Sequence, residues 1–183
     1  DLATQATPVT VESALQISTV FAATRLIAET VASLPFDLYE KTQEGRIPSS
    51  LSLRKVLTRR PNRYQTRVEF WESVVFNLVL SGNAYCVITR IGSEIASLLP
   101  VSSSQVIPEV MLDGTVIYQI SNATGEKIYQ SGDIWHIKLF GNGVVGLSPL
   151  AHAAQSVSIS QAAAGKCAEV YANGAKRAGI LTG

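Results

Sequence analysis

The sequence predicts an α+β fold: N-terminal helices packed on an antiparallel β meander, followed by one long Ala-rich helix. Three observations predict it. Apolar residues recur at helical spacing up to Val79. After Asn83 the period drops towards two, and turn pairs such as Asp113-Gly114 punctuate the chain. From Ser148 the chain then runs for about seven turns of mostly small residues, between a helix start and a helix stop. Helices, then strands, then one helix argue for α+β rather than alternating βαβ units. No internal repeat is found.

Residues 1–9 read as a flexible arm. Thr10 or Ser13 can cap the first helix, and Ser13 with Gln16 has capping-box spacing. Leu15, Val20, Phe21, Ala23, Leu26, Ile27, Val31 and Leu34 then keep helical spacing, so one helix is expected up to Pro35. Residues 36–40 alternate and read as a strand, and residues 43–50 as a loop around Gly45 and Pro48. A short helix is expected over 51–59, stopping before Pro61, with 62–65 as a linker. Thr66 with Glu69 is a second capping box. The helix behind it carries Val68, Trp71, Val75, Leu78 and Val79 and ends at Gly82-Asn83.

Strand candidates follow at 84–91, 95–99, 105–110, 115–120, 127–129 and 134–140, with Asp113-Gly114 a two-residue hairpin signal. In the last helix Ser148 is the cap, Pro149 the first helical residue and Asn173-Gly174 the stop, before a short apolar strand. About 26 residues at 1.5 Å each give roughly 39 Å. Built on Ala, Ser and Gly, this helix has too few large side chains to bury much apolar area. It suits a helix whose neighbours come very close. Gly165 inside it costs about 1 kcal/mol relative to Ala, so a packing reason is expected there and at Ala154, Ser158 and Ala162.

Composition narrows the function classes. The 183 residues allow one domain, or one plus an extension, and 46% hydrophobic with 16% charged residues fits a folded chain. Fifteen basic against fourteen acidic residues leave +1, so no global field announces nucleic acid and any charge effect is local. Cys86 and Cys167 lie far apart and make no disulfide framework. Cys86, in an alternating run, reads as a buried thiol in a reducing compartment. No apolar run reaches the roughly 18 residues of a membrane span, and no membrane partner is expected. The start DLATQATPV has neither the basic head nor the apolar middle of a signal peptide. It lacks Met, and Gly183 follows directly on a strand pattern, so the sequence is expected to be part of a longer gene product.

Gly141-Asn142-Gly143-Val144-Val145-Gly146 matches GxGxxG between a strand and a helix, the setting of a dinucleotide site. A nucleotide-binding enzyme using Gly141, Gly143 and Gly146 is therefore one reading. Against it, Ser148 caps the helix, so Gly146 falls outside it, and no parallel strand with a terminal acid follows. The glycines are expected to form a flexible loop between sheet and helix. Arg54, Lys55, Arg59, Arg60, Arg63 and Arg67 fall together with no acid among them, a pattern suited to phosphate or partner contact, or to a DNA-binding module. Tyr64 alone is no base-stacking platform. Lys166, Lys176 and Arg177 lie on or after the long helix, where positive charge suits its C-terminus.

His136 and His152 have no Cys, His or carboxylate at ligand spacing, so no metal site is expected. His152 is expected to be exposed. Asp133 with His136 and a serine leaves a hydrolase triad open, but Gly146-Leu147-Ser148-Pro149 breaks the GxSxG elbow. Asn122-Ala123-Thr124 is a glycosylation sequon by form only. No cofactor and no enzyme activity are expected.

Four blocks carry a family likeness. The first is Val20-Phe21-Ala22-Ala23, Arg25-Leu26-Ile27-Ala28-Glu29 and Ala32-Ser33-Leu34-Pro35, then Leu38-Tyr39. The second is Arg60-Pro61-Asn62, Thr66, Glu69-Phe70-Trp71-Glu72 and Gly82-Asn83-Ala84-Tyr85. The third is Leu98-Leu99-Pro100 with Val106. The fourth is Gly146-Leu147-Ser148-Pro149-Leu150, Ala172-Asn173-Gly174-Ala175 and Gly179-Ile180-Leu181. In order and spacing the chain resembles the HK97-like portal proteins of tailed phages.

The resemblance implies a structural subunit of a dodecameric ring at one capsid vertex. Terminase drives double-stranded DNA through such a ring, and head–tail connector proteins dock on it later. It implies a virion protein assembled in the bacterial host cytoplasm. It also implies a wing domain over 1–146, a first stem helix over 147–174 and the start of a clip over 175–183. Ala154, Ser158, Ala162 and Gly165 would then lie at subunit contacts, and Lys166, Lys176 and Arg177 could face the channel. The rest of the clip, a second stem helix and the tunnel loop are not in this sequence.

Overall fold

The computed structural model describes residues 10–43, 45–122, 125–141, 143–172 and 174. The expected arm, the stop at Asn173, Lys176, Arg177 and the last strand lie outside the described residues.

Helix α1 (Val11–Leu15) and helix α2 (Ser18–Ser33) replace the single helix expected there. The capping box is Thr10 with Ser13, not Ser13 with Gln16, so the first helix begins earlier. Ile17 is extended at φ −81°, ψ 113°, which breaks the helical path. The break has a packing reason. It lets Ala14, fully buried, sit with Leu150 and Val157 of the last helix, flanked by Val11, Ile17 and Val20.

The strand expected at 36–40 starts later and finds its partner in the supposed loop. Strands β1 (Tyr39–Thr42) and β2 (Gly45–Pro48) form an antiparallel hairpin. Phe36 instead packs edge-on against Trp71, with ring centroids 4.9 Å apart. Helix α3 (Ser52–Thr58) and helix α4 (Arg67–Ser81) follow. The Thr66–Glu69 capping box forms as expected, and α4 ends at Gly82 in the left-handed region, φ +73°.

Strands β3 (Asn83–Ile91), β4 (Glu94–Val101), β5 (Val106–Val110), β6 (Val116–Asn122), β7 (Gly125–Gln130) and β8 (Ile134–Lys138) precede helix α5 (Pro149–Ala172). The α+β class holds, but the meander is interrupted. Strands β4-β3-β8 form one antiparallel sheet and β5-β6-β7 another, because β8 returns to pair with β3. The register of β3 against β4 shifts after Thr89, so Ser97 faces Thr89 and Ile95 faces Arg90. This bulge at Ala96 brings Ile95 and Leu98, three apart in sequence, to the same core.

Alternation along β3 divides the interior in two. Ala84 and Cys86 turn to Phe70 and Val74 of α4 and to Val56 and Leu57 of α3. Tyr85 turns the other way, to Val106, Tyr118, Ile120 and Ile134. Helix α2 covers the far side of α4 with a narrow stripe of Thr24, Ala28 and Ala32. The layers therefore run α2, α4 with α3, sheet β4-β3-β8, sheet β5-β6-β7. The outer edge of β4 is closed by the Arg60-Pro61-Asn62 segment: Leu98 N–H donates to the Pro61 carbonyl at 2.8 Å, and Asn62 Nδ2 to the Leu98 carbonyl at 2.9 Å.

Candidate functional site at the root of the long helix

Helix α5 leaves the body of the protein at a junction of four backbone segments. Asn83, buried at the start of β3, organises it. Its Oδ1 accepts the Gly146 N–H at 2.6 Å, and its Nδ2 donates to the Gly146 carbonyl at 3.1 Å and the Ser81 carbonyl at 2.9 Å. His136 Nε2 lies 3.0 Å from the same Oδ1, and the Tyr118 hydroxyl 3.3 Å from His136 Nδ1. Since Oδ1 can only accept, the network assigns the ring proton to Nε2, and Tyr118 donates to Nδ1. Tyr85 stacks on the imidazole at 4.3 Å. Burial pushes His136 down to about 4, with Lys138 adding to the effect, so the ring is neutral near pH 7.

Backbones approach closely here. A Cβ on Gly146 would lie 2.0 Å from the Gly82 carbonyl oxygen and 2.8 Å from that of Leu139. A Cβ on Gly82 would lie 2.0 Å from the Leu147 oxygen. The Leu139 N–H donates to the Gly82 carbonyl at 2.8 Å. Ser148 acts twice: its Oγ caps α5 by accepting the Ala151 N–H, and donates to the Leu80 carbonyl at the end of α4, both at 3.1 Å.

The described glycines of this segment, expected in a flexible loop, are each tied down. Gly141 and Gly146 bridge each other, Lys138 Nζ donates to the Gly143 carbonyl at 2.7 Å, and the Gly146 N–H is spent on Asn83. That N–H is not free to cradle a phosphate, and the preceding sheet is antiparallel.

Past its root α5 leans on α1 through Leu150, Val157 and Gln161, whose Nε2 donates to the Ser13 carbonyl at 2.7 Å. Ala154 and Ser158 are half-buried near this contact. Ala162, Gly165 and Lys166 are exposed, and a Cβ on Gly165 would meet nothing within 4 Å. Lys166 pairs with Glu169 at 2.7 Å.

The basic cluster divides. Arg54 is a structural cation, held by Asp37 through two bonds of 2.7 and 2.6 Å, and that hydrogen bonding holds the Asp37 carboxyl below the usual range. Asp37 was invisible as a partner because it lies 17 residues away in sequence. Arg67 Nη1 donates to the Leu34 carbonyl at 3.1 Å, and its guanidinium lies over Phe36. Lys55, Arg59, Arg60 and Arg63 make no ion pair among the described residues. Arg59, Arg60 and Arg63 line one cleft with Tyr64, whose ring sits 4.8 Å under the Arg63 guanidinium.

No hydrolytic triad assembles. Asp133 pairs with Arg90 at 3.1 Å, while His136 turns to Asn83 and Tyr118. Among the described residues no group of three His, Cys, Asp or Glu could hold a metal. No helix of the described residues is long and apolar enough to cross a membrane. Cys86 is fully buried, its thiol pushed up to about 12 by burial, and Cys167 is exposed. His152 is exposed, as expected. The buried polar pair that sequence reasoning missed is Asn83 with His136. The available signal was the polar Asn83 at the head of an otherwise apolar strand.

The family model for phage portal proteins matches residues 18–183. The chain belongs to this family. It is 36% identical over 177 residues to the portal protein of Enterobacteria phage HK97, covering 93% of this chain and 41% of that relative. The portal-family chain thus spans about two fifths of that relative's length. In structure it is similar to a chain in the neck of an empty gene transfer agent particle computed with C6 symmetry. There the TM-score is 0.73 at 23% identity, with 96% of this chain and 50% of the other covered. A chain in the neck of the native particle, computed with C12 symmetry, matches with TM-score 0.69 at 22% identity, covering 96% and 49%. At these identities the structural likeness concerns the fold.

Proposed function

We propose that this chain is part of a portal subunit, one copy in a ring at a unique capsid vertex through which double-stranded DNA is packaged and ejected. The observation that carries the reading is family membership over residues 18–183, at 36% identity to a phage portal protein. The cyclic symmetry of the neck particles with the same fold supports the ring, and C12 supports twelve copies. On this reading residues 1–146 form the wing, 147–174 the first stem helix and 175–183 the entry to the clip. The clasp at Asn83 and Gly146 sets the angle at which the stem leaves the wing. The role is architectural rather than enzymatic, and the chain resides in the virion after assembly in the host cytoplasm. Terminase, capsid and head–tail connector proteins are its partners, and no membrane is involved. Lys166, Lys176 and Arg177 face the channel, while Ala154, Ser158, Ala162 and Gly165 let neighbouring stems approach.

Negative-stain microscopy of the full-length gene product tests the ring. Rings with a central hole are expected, and monodisperse small particles at assembling concentrations overturn the reading. Charge reversal at Lys166 and Lys176 tests the channel assignment: packaging is expected to fall, and unchanged packaging removes it. Lys55, Arg59, Arg60 and Arg63, which make no ion pair among the described residues, favour a phosphate or acidic-partner contact on the wing. Reversing Arg59, Arg60 and Arg63 together is expected to leave stability unchanged and to flatten the salt dependence of any DNA retention.

A further inference from the structure

The layer order leaves two outward faces at opposite ends of the stack, an apolar one on α2 and a mixed one on the outer sheet, where isoleucines stand among Gln119, Glu109 and Glu126. At one end α2 buries only its Thr24, Ala28 and Ala32 stripe, while Leu26, Ile27, Val31 and Leu34 are 66%, 45%, 44% and 55% exposed. At the other end the register of β5, β6 and β7 places Ile107, Gln119 and Ile128 in one row. This row faces away from the Tyr85–Tyr118 core, and both isoleucines are 60% exposed. Nothing among the described residues covers either face. Solvent-facing apolar side chains grouped in this way on a folded chain mark an interaction surface.

We propose that these two faces meet between copies: the outward face of α2 in one subunit seats on the outer face of β5–β6–β7 in the next. This rests on the ring reading above. The argument for a second copy is geometric. Two different faces at opposite ends of one body, when they bind each other, form a head-to-tail contact, which generates a closed ring when the rotation closes. An isologous contact would pair α2 with α2 and leave the sheet face bare. Apart from the mutually neutralising Arg25–Glu29 pair of α2, the charges bordering the faces have opposite sign. Glu109 and Glu126 share the outer face of the sheet, and Arg67 sits against the Leu34 carbonyl at the end of α2.

The test uses the full-length gene product carrying Cys167→Ser, with every cysteine outside residues 1–183 also changed to Ser, while the buried Cys86 is kept. Ile27→Cys and Ile128→Cys are introduced singly and together, and each preparation is imaged before treatment with a short bis-maleimide. The expected result is a ladder of covalent oligomers, reaching the full ring, from the double variant alone. Covalent dimers from a single variant show a two-fold contact and overturn the proposal. Rings that yield no ladder overturn the face assignment and leave the portal reading standing. Absence of rings in the parent protein overturns both. As a second measurement, Leu26→Asp with Val31→Asp is expected to weaken self-association about tenfold or more while the subunit's melting curve is unchanged. Undiminished assembly rejects the α2 face.

Discussion

Gly146 and Gly165 are both glycines at the long helix, and they stand in opposite situations. At Gly146, in the root, an added Cβ would fall 2.0 Å from a carbonyl oxygen of the same chain. At Gly165, in the shaft, it would meet nothing within 4 Å. Root and shaft are one continuous helix, yet the root is held by Asn83, Ser148 and Leu150, and the shaft beyond Gln161 is exposed at every described residue. A small residue is a statement about close approach. In the root the chain itself supplies the approaching backbone. In the shaft the approach has to come from outside the described residues, or the glycine has no packing role.

The sharpest way to break this contrast is Gly146→Ala. The new methyl has backbone on two sides, so the cost is expected at the upper end of overpacking, about 3 kcal/mol, in urea unfolding monitored by Trp fluorescence. A loss below about 1 kcal/mol would show that the junction yields and is no clasp.

Asn83→Ala comes next. It strips the Gly146 N–H and the His136 ring of their shared acceptor, and about 2 kcal/mol is expected, with faster amide exchange at Gly146. Unchanged exchange there would remove Asn83 from the clasp.

His136 gives a smaller, pH-dependent effect. Its folded value, about 4, lies below the ordinary 6.5, so the unfolded chain binds a proton first. Stability is therefore fully present above pH about 6.5 and falls as the pH drops towards 4. The loss is on the order of 1–2 kcal/mol, discounted because the ring is only half-buried. His136→Gln should flatten the acid limb of the stability–pH profile, and an identical limb would place the titration elsewhere.

The smallest effect sharpens the other half of the contrast. Gly165→Ala should stabilise the isolated subunit by up to about 1 kcal/mol through helix propensity alone. If it instead costs stability in the subunit, the shaft has an intramolecular partner. If it is neutral or better there but impairs rings, the close neighbour is another copy.

Much of the chain was legible before its structure. Both capping signals of α4 and the Ser148-Pro149 start of α5 act through groups within four residues of each other, and each forms where expected. Asp113-Gly114 does lie between β5 and β6, but the connection is residues 111–115 rather than the two-residue turn expected. Two errors are local, the Thr10–Ser13 capping box and the β1–β2 hairpin, and the others involve partners distant in sequence. The break at Ile17 exists because Ala14 packs on Leu150 and Val157. Strand β8 leaves the meander because its Trp135 and Ile137 belong to the α4 core. Ile95 and Leu98 share a face only through a bulge set by β3. Arg54 left the group of free cations because Asp37 reaches it from the other side of the β1–β2 hairpin.

The sequence by itself determined the class, the caps of α4, the start of the long helix and the family likeness, since propensity, periodicity and local side chain–backbone bonds are short-range and survive without tertiary context. Only the tertiary structure decided what the glycines of 141–146 are for. Their pattern reads as a nucleotide loop, and only the Gly82 carbonyl and the Asn83 side chain, 63 residues away, turn it into the clasp that fixes a helix. Steric exclusion and buried hydrogen bonding between distant segments act once the chain has folded, so no local pattern could carry them.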